Sequence, residues 1–295
     1  MTKPQNVQQP TPPFPKQKLE KPGLEADMEQ RPRYKAPRYK PAGKLENKVA
    51  LITGGDSGIG RAVAVMYARE GADVAIVCLP EERVDAEETT RVVEEHGRRC
   101  VTFEGDLTDP VFCRTTVERT LAEFGQLNIL VSNAAYQNRK ASIEEISDEE
   151  FDRTFKTNVY AFFRLVKAAV PHLAPGSSII VTGSETGFDG PEMLPDYSAT
   201  KGAIHTLTKV LAKMLAERGV RVNCVAPGPV WTPLNLADEG TTPEKVSMFG
   251  AKTPMKRPAQ PEELAPAYVF FASDADSSYI SGEVLAVMGG GTAPG

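Results

Sequence analysis

The chain has 295 residues, 41% hydrophobic and 25% charged, with a net charge of −5. That apolar content suffices for one large core or two small ones and excludes fibrous and wholly disordered classes. The charge is unevenly placed: residues 1–43 carry nine Lys and Arg, four Asp and Glu and nine of the 24 prolines, so a +5 arm precedes a −10 body.

The arm, residues 1–43, is polar and punctuated by proline (QQPTPPFPKQ, then RPRYKAPRYKPAG) with no helical or strand period, which predicts an extended segment. Its duplicated Arg-Tyr-Lys at 33–35 and 38–40 either docks on acidic surface, of this body or of a neighbouring subunit, or stays solvated. Past residue 44, short apolar runs at 49–53, 73–79, 100–104, 128–132, 178–182, 221–226 and 283–287 alternate with longer segments of helical period. Runs that are apolar on both faces and too short for helices predict parallel strands covered by helices. Ile59, Val63, Met66 and Tyr67 follow the i, i+4, i+7, i+8 spacing of an amphipathic helix, and Gly71 supplies its stop. The repeated units predict an α/β fold: a doubly wound, Rossmann-type parallel sheet of about seven strands with helices on both faces, one domain over 44–295 behind the arm. Right-handed crossovers then bring the C-terminal strand ends to one edge, where ligands of such sheets bind.

No apolar run reaches the roughly 18 to 20 residues that span a bilayer, and the first residues lack the apolar stretch of a secretory signal. A cytoplasmic protein without membrane contact is expected. Cys78, Cys100, Cys113 and Cys224 form no C-x-x-C pair, and His96, His172 and His205 show no ligand spacing, so no metal site is expected. An acidic body also argues against a nucleic-acid partner.

The first strand runs into Thr53-Gly54-Gly55-Asp56-Ser57-Gly58-Ile59-Gly60 and then into the first helix. Gly54 and Gly58 let the backbone turn tightly and approach a pyrophosphate, Gly60 permits close helix and strand packing, and the helix N-terminus offers free N–H groups. At the end of the second strand, an acidic residue would hold a ribose 2′-hydroxyl and a basic one would welcome a 2′-phosphate. Cys78, Leu79 and Pro80 stand there instead. With Asp56 and Ser57 in the turn, NAD is favoured over NADP, and Arg83 is the residue able to reverse that preference.

Tyr197 and Lys201 are four residues apart in a stretch of helical period, so both lie on one face. Poising a tyrosine, pKa about 10, near 7 requires stabilising the phenolate by roughly 4 kcal/mol. One ammonium at about 4 Å in an effective dielectric near 20 contributes about 4 kcal/mol before solvation costs, helped by a positive nicotinamide. Ser184, just past the fifth strand, is placed to donate a hydrogen bond to a substrate oxygen.

The spacing Gly-x-x-x-Gly-x-Gly, with Asp106-Leu107, Asn133-Ala134-Ala135, Asn158, Ser184, Tyr197-x-x-x-Lys201 and Pro227-Gly228, resembles the short-chain dehydrogenases/reductases over roughly residues 48–292. The resemblance implies an NAD(P)-dependent oxidoreductase that passes a hydride between nicotinamide and a secondary alcohol or carbonyl. It implies a catalytic set of Asn158, Ser184, Tyr197 and Lys201, with Asn158 holding a water that links Lys201 to solvent. Cofactor contacts are implied for Gly54, Asp56, Ser57, Gly58, Ile59, Gly60, Leu79, Asp106, Leu107, Asn133, Ala134, Tyr197, Lys201, Pro227, Gly228, Val230 and Thr232. Asp106 falls where the family binds the adenine amino group, Asn133 where it supports the central strand, and Thr232 where it contacts the nicotinamide amide or phosphate. Ala135 replaces the family's glycine.

The arm, the Gly-Gly-Asp-Ser-Gly-Ile-Gly turn and the Leu-Pro-Glu-Glu segment resemble a bacterial general-stress and glucose-dehydrogenase-like subgroup whose members commonly form homotetramers. By that resemblance the tetramers form through the helices carrying Asn158 and Tyr197 and through the C-terminal strand, and Met288 replaces the usual aspartate near that interface. A lid is expected over about 233–260, and Tyr136, Gln137, Glu185, Met193 and Trp231 are candidate pocket residues, which leaves a sugar or polyol, a small ketone or a hydrophobic alcohol as substrate. Two other functions stay open: a nicotinamide-binding sensor or scaffold without turnover, and a 3-oxoacyl-thioester reductase. An enoyl reductase is disfavoured by the four-residue Tyr-to-Lys interval.

Overall fold

The computed structural model describes residues 8–292. Seven strands, β1 (Val49–Thr53), β2 (Asp73–Cys78), β3 (Cys100–Glu104), β4 (Ile129–Ser132), β5 (Ser178–Thr182), β6 (Arg221–Pro227) and β7 (Val284–Val287), form one sheet in the order β3-β2-β1-β4-β5-β6-β7. Every pairing is parallel. The strands occupy the expected runs to within a residue at each end. Leu79 leaves the sheet because the residue before a proline is driven to extended backbone that here opens the next turn.

Ten helices matter for the site: α1 (Gly58–Arg69), α2 (Arg83–Glu95), α3 (Pro110–Phe124), α4 (Asp148–Phe155), α5 (Ala161–Ala169), α6 (Thr186–Asp189), α7 (Pro195–Leu215), α8 (Pro233–Leu236), α9 (Pro243–Ser247) and α10 (Pro261–Ala272). A π-helical turn, Lys156–Tyr160, joins α4 to α5. One core is built on the sheet face covered by α1, α2 and α10, around Val63, Met66, Val93, Leu264 and Phe271. The other is covered by α3, α5 and α7, around Val117, Phe162, Leu165, Ile204 and Leu211. Central strands are therefore apolar on both sides: Val49, Ala50, Leu51 and Ile52 are all buried. Each such side chain contributes about 1.5 to 3 kcal/mol from burial. Reversal of strand order between β1 and β4 opens the crevice that the crossover rule places at the strand C-termini.

Residues 8–43 contain one short 3-10 turn, Glu25–Asp27, and otherwise run extended over the body. Both duplicated tyrosines dock on acidic groups of the same chain. The Tyr34 hydroxyl donates to Glu88 at 2.9 Å and that of Tyr39 donates to Glu70. The arm also has an apolar anchor: Phe14 stacks on Trp231 with ring centroids 4.1 Å apart, and with Leu19 and Met28 it buries Leu236, Ala237 and Val246. Segment 233–260, expected as a lid, thus forms α8 and α9 beneath the arm.

Candidate active site

The turn after β1 places Gly54 at φ +61° and Gly58 at φ +50°, a region that favours glycine. A Cβ on Gly60 would stand 1.8 Å from the Gly54 carbonyl oxygen, so only glycine lets α1 start against the turn. Asn133 ties three strand ends together. Its side-chain amide donates to the Gly54 carbonyl at 3.1 Å, its backbone N–H to the Thr53 hydroxyl at 2.9 Å, and its Oδ1 accepts from Thr182 at 3.0 Å. The Ala134 N–H reaches the same Thr53 hydroxyl at 3.1 Å. The Thr232 side chain faces the turn from the other side, Cγ2 lying 3.0 Å from where a Gly58 Cβ would be.

A cleft of about 600 Å³ runs along this edge, lined at one end by Leu79, Glu81, Glu82, Asp106 and Leu107 and at the other by Ser184, Tyr197 and Lys201. Between them lie Gly54, Asp56, Ser57, Gly58, Ile59, Ala134, Pro227, Gly228, Val230 and Thr232. Of the implied cofactor contacts only Gly60 is off the cleft, where its role is packing. An elongated cleft with a Cβ-free turn at its middle fits a dinucleotide. Asp56 and Glu82 are both raised by burial. Arg83 is not among the lining residues and pairs with Glu104 at 3.0 Å.

Tyr197 and Lys201 share the first turns of α7, and both are buried. The Lys201 ammonium donates to the Thr182 carbonyl at 2.8 Å and sits 5.2 Å from the Tyr197 ring centroid. Burial pushes the Tyr197 phenol up to about 12, while the Ser184 hydroxyl and Arg139 pull it down and Glu185 raises it. The sequence expectation of a phenol poised near 7 by one ammonium at about 4 Å is corrected here. Desolvation of an enclosed phenolate outweighs the Ser184 hydroxyl and Arg139 that lower it, and burial also lowers the Lys201 ammonium, to about 8. Ser184, just past β5, accepts from the Thr186 N–H at 3.1 Å and lies beside the Tyr197 hydroxyl.

Asn158 sits in the π-helical turn, off the cleft. Its Oδ1 accepts from the Tyr136 N–H at 2.8 Å, and its amide donates to the Tyr136 carbonyl and the Thr200 hydroxyl, each at 3.0 Å. It therefore braces the Tyr136 loop against α7. Tyr136, Gln137 and Glu185 line the cleft as expected. Met193 and Trp231 do not: Met193 is partly exposed, and the Trp231 ring turns into the arm cluster with its N–H donating to the Gln30 carbonyl at 2.7 Å. Glu185 is raised to about 7 by burial, then by Asp189.

Several lining groups have no counterpart in the sequence reading. Lys21, Pro22 and Gly23 of the arm, with Arg139 and Arg153, complete the wall. The Lys21 ammonium donates to the Gln137 carbonyl at 2.7 Å and lies 4.2 Å from the Tyr136 ring centroid. No periodicity marks such a residue, because its partner is 116 positions away.

A family model described as enoyl-(acyl carrier protein) reductase matches residues 54–292. General stress protein 39 of Bacillus subtilis is 52% identical over 270 residues, covering 91% of this chain and 93% of that protein. A short-chain dehydrogenase from Burkholderia cenocepacia, solved in complex with NADP, superposes with TM-score 0.77 at 33% identity, covering 84% of this chain and 98% of that one. An NADH-dependent reductase responsible for alginate metabolism gives TM-score 0.75 at 32% identity, covering 86% and 100%. Glycine turn, Asn133 brace, Ser184 and the Tyr197–Lys201 pair converge on one strand edge, and with these likenesses the chain belongs to the short-chain dehydrogenase/reductase family.

Proposed function

We propose that Tyr197 is the proton-transfer residue of an oxidoreductase whose substrate oxygen lies between Tyr197 and Ser184. The protein is an NAD(P)-dependent oxidoreductase acting on CH–OH groups and their carbonyls. The observation that carries the residue assignment is one cleft lined by Ser184, Tyr197, Lys201 and the glycine turn. The chemistry a bound nicotinamide supplies there is donation or acceptance of hydride. With its pKa raised, Tyr197 holds its proton at neutral pH and is ready to give it to a carbonyl oxygen as the carbon is reduced. Ser184 donates to that oxygen while negative charge develops on it. In the oxidising direction Tyr197 must first be deprotonated, which the Lys201 ammonium and any added positive charge in the cleft favour. Asn158 keeps the Tyr136 loop and α7 in register.

NAD is proposed as the preferred cofactor. Glu81 lines the end of the cleft after β2, and a carboxylate there repels a 2′-phosphate. Arg83 is engaged by Glu104 and does not line the cleft. Comparing kcat/KM for the two cofactors tests this; a preference for NADP above about tenfold overturns it. Homo-oligomerisation through α4, α5 and α7 is proposed from Phe151, Tyr160, Phe163, Val210 and Met214, all exposed. Four unpaired cysteines fit a reducing, cytoplasmic compartment. A panel of alcohols, sugars and carbonyls, followed by reduced-nicotinamide absorbance with both cofactors, tests the function. Cofactor binding without turnover on any member supports the sensor reading instead.

A further inference from the structure

The arm reaches the glycine turn at a single carboxylate. Glu25 is buried, its Oε2 accepts the Gly58 N–H at 2.8 Å, and its Oε1 pairs with Arg61 on the first turns of α1. Arg61, itself fully buried, also donates through Nε to the Asp56 carbonyl at 2.8 Å and through Nη2 to the Asp85 carbonyl at 3.0 Å. Asp85 in turn accepts the backbone N–H groups of Glu25 at 2.6 Å and Ala26 at 2.9 Å. Arm, turn and α2 are thereby closed into one ring of hydrogen bonds whose centre is Arg61. Two residues before Glu25, Gly23 packs on Ala237 and Pro233, so the same stretch also braces α8.

We propose that Glu25 of the N-terminal arm is a positioning residue for the cofactor turn, holding Gly58 and α1 in the conformation that binds the dinucleotide pyrophosphate. Gly58 stands at φ +50° and Asp56 is buried within the same turn; a turn with this much backbone freedom gains most from an external clamp. The sense of the effect separates this role from simple electrostatics. A carboxylate near a diphosphate repels it, so its neutralisation by charge alone tightens binding. Loss of a clamp weakens it.

Full-length Glu25→Gln is expected to raise the Kd of NADH and of NADPH, measured by fluorescence, by about tenfold and to a similar extent, with kcat at saturating cofactor within about threefold of wild type. Tyr39→Phe, in the same arm but remote from the turn, is expected to leave both Kd values within about twofold, which separates the clamp from general loosening of the arm. Unchanged or tighter binding by Glu25→Gln, or a loss in kcat equal to the loss in affinity, overturns the proposal. Should Glu25→Gln not fold, hydrogen exchange on the wild-type protein decides. Saturating cofactor is expected to protect residues 22–28 of the arm together with 54–62, and protection confined to 54–62 overturns it.

Discussion

At Tyr197 two opposed effects meet in one side chain: enclosure raises the phenol, and the neighbouring Ser184 hydroxyl and Arg139 lower it. Enclosure wins in the protein alone, which keeps the phenol protonated at neutral pH and fits the proposed role as proton donor. Tyr197→Phe removes the transferable proton and keeps the ring, and turnover is expected to fall by about a thousandfold or more with cofactor Kd within about threefold. Steady-state kinetics beside a binding titration check this, and retained turnover excludes the assignment. Glu185 adds a pH signature. Its folded pKa, about 7, lies above the ordinary 4.5 because of burial, so the stability it contributes is complete below pH 4.5 and is lost as pH rises through 7. Glu185→Gln does not titrate, and is therefore expected to raise Tm by about 2 °C at pH 8 and to leave it nearly unchanged at pH 4. Equal shifts at both pH values in thermal melts count against this.

Between elements, the contact that most alters the reading of the site is the arm on α8 and α9. A proline-punctuated segment forms no ladder of its own, yet Phe14, Leu19 and Met28 insert at intervals into a cluster completed by Trp231, Leu236 and Val246. Backbone bonds then hold the path, the Phe14 N–H donating to Ser247 at 2.8 Å and the Leu19 N–H to Leu236 at 3.1 Å. Phe14→Ala removes the stack on Trp231 and is expected to lower the cost of opening the arm by about 3 kcal/mol, which corresponds to proteolysis at 8–30 and 233–250 faster by on the order of 100-fold. An unchanged cleavage rate shows that the anchor lies elsewhere along the arm.

For the whole molecule, five exposed apolar side chains lie on α4, α5, α7 and the π-helical turn between the first two: Phe151, Tyr160, Phe163 at 51%, Val210 and Met214 at 68%. Apolar side chains left exposed on helices that pack against one another fit the proposed interface between copies. Under the proposed oligomerisation, Phe163→Glu places a charge in the interface and is expected to give a smaller species than wild type in sedimentation equilibrium. A wild-type protein that sediments as a monomer contradicts the proposed interface. Among the described residues no helix is long and apolar enough to cross a membrane.

Local pattern determined the sheet and the candidate site at its edge. Apolar runs such as 49–53 and 178–182 are strands wherever the chain places them, and the glycine turn and the Tyr197–Lys201 interval carry their geometry within a few residues. The sign of the Tyr197 shift was not legible, because it depends on how much water is excluded around the phenol, a property of packed neighbours and not of spacing. Nor was the arm's place in the site: Glu25 meets Gly58 across 33 positions and Lys21 meets Gln137 across 116. Such pairings leave no periodic trace, since a carboxylate or ammonium drawn out of water is stabilised by whatever partner the completed fold brings to it. Tertiary structure alone therefore decided that a segment outside the sheet forms part of the cleft.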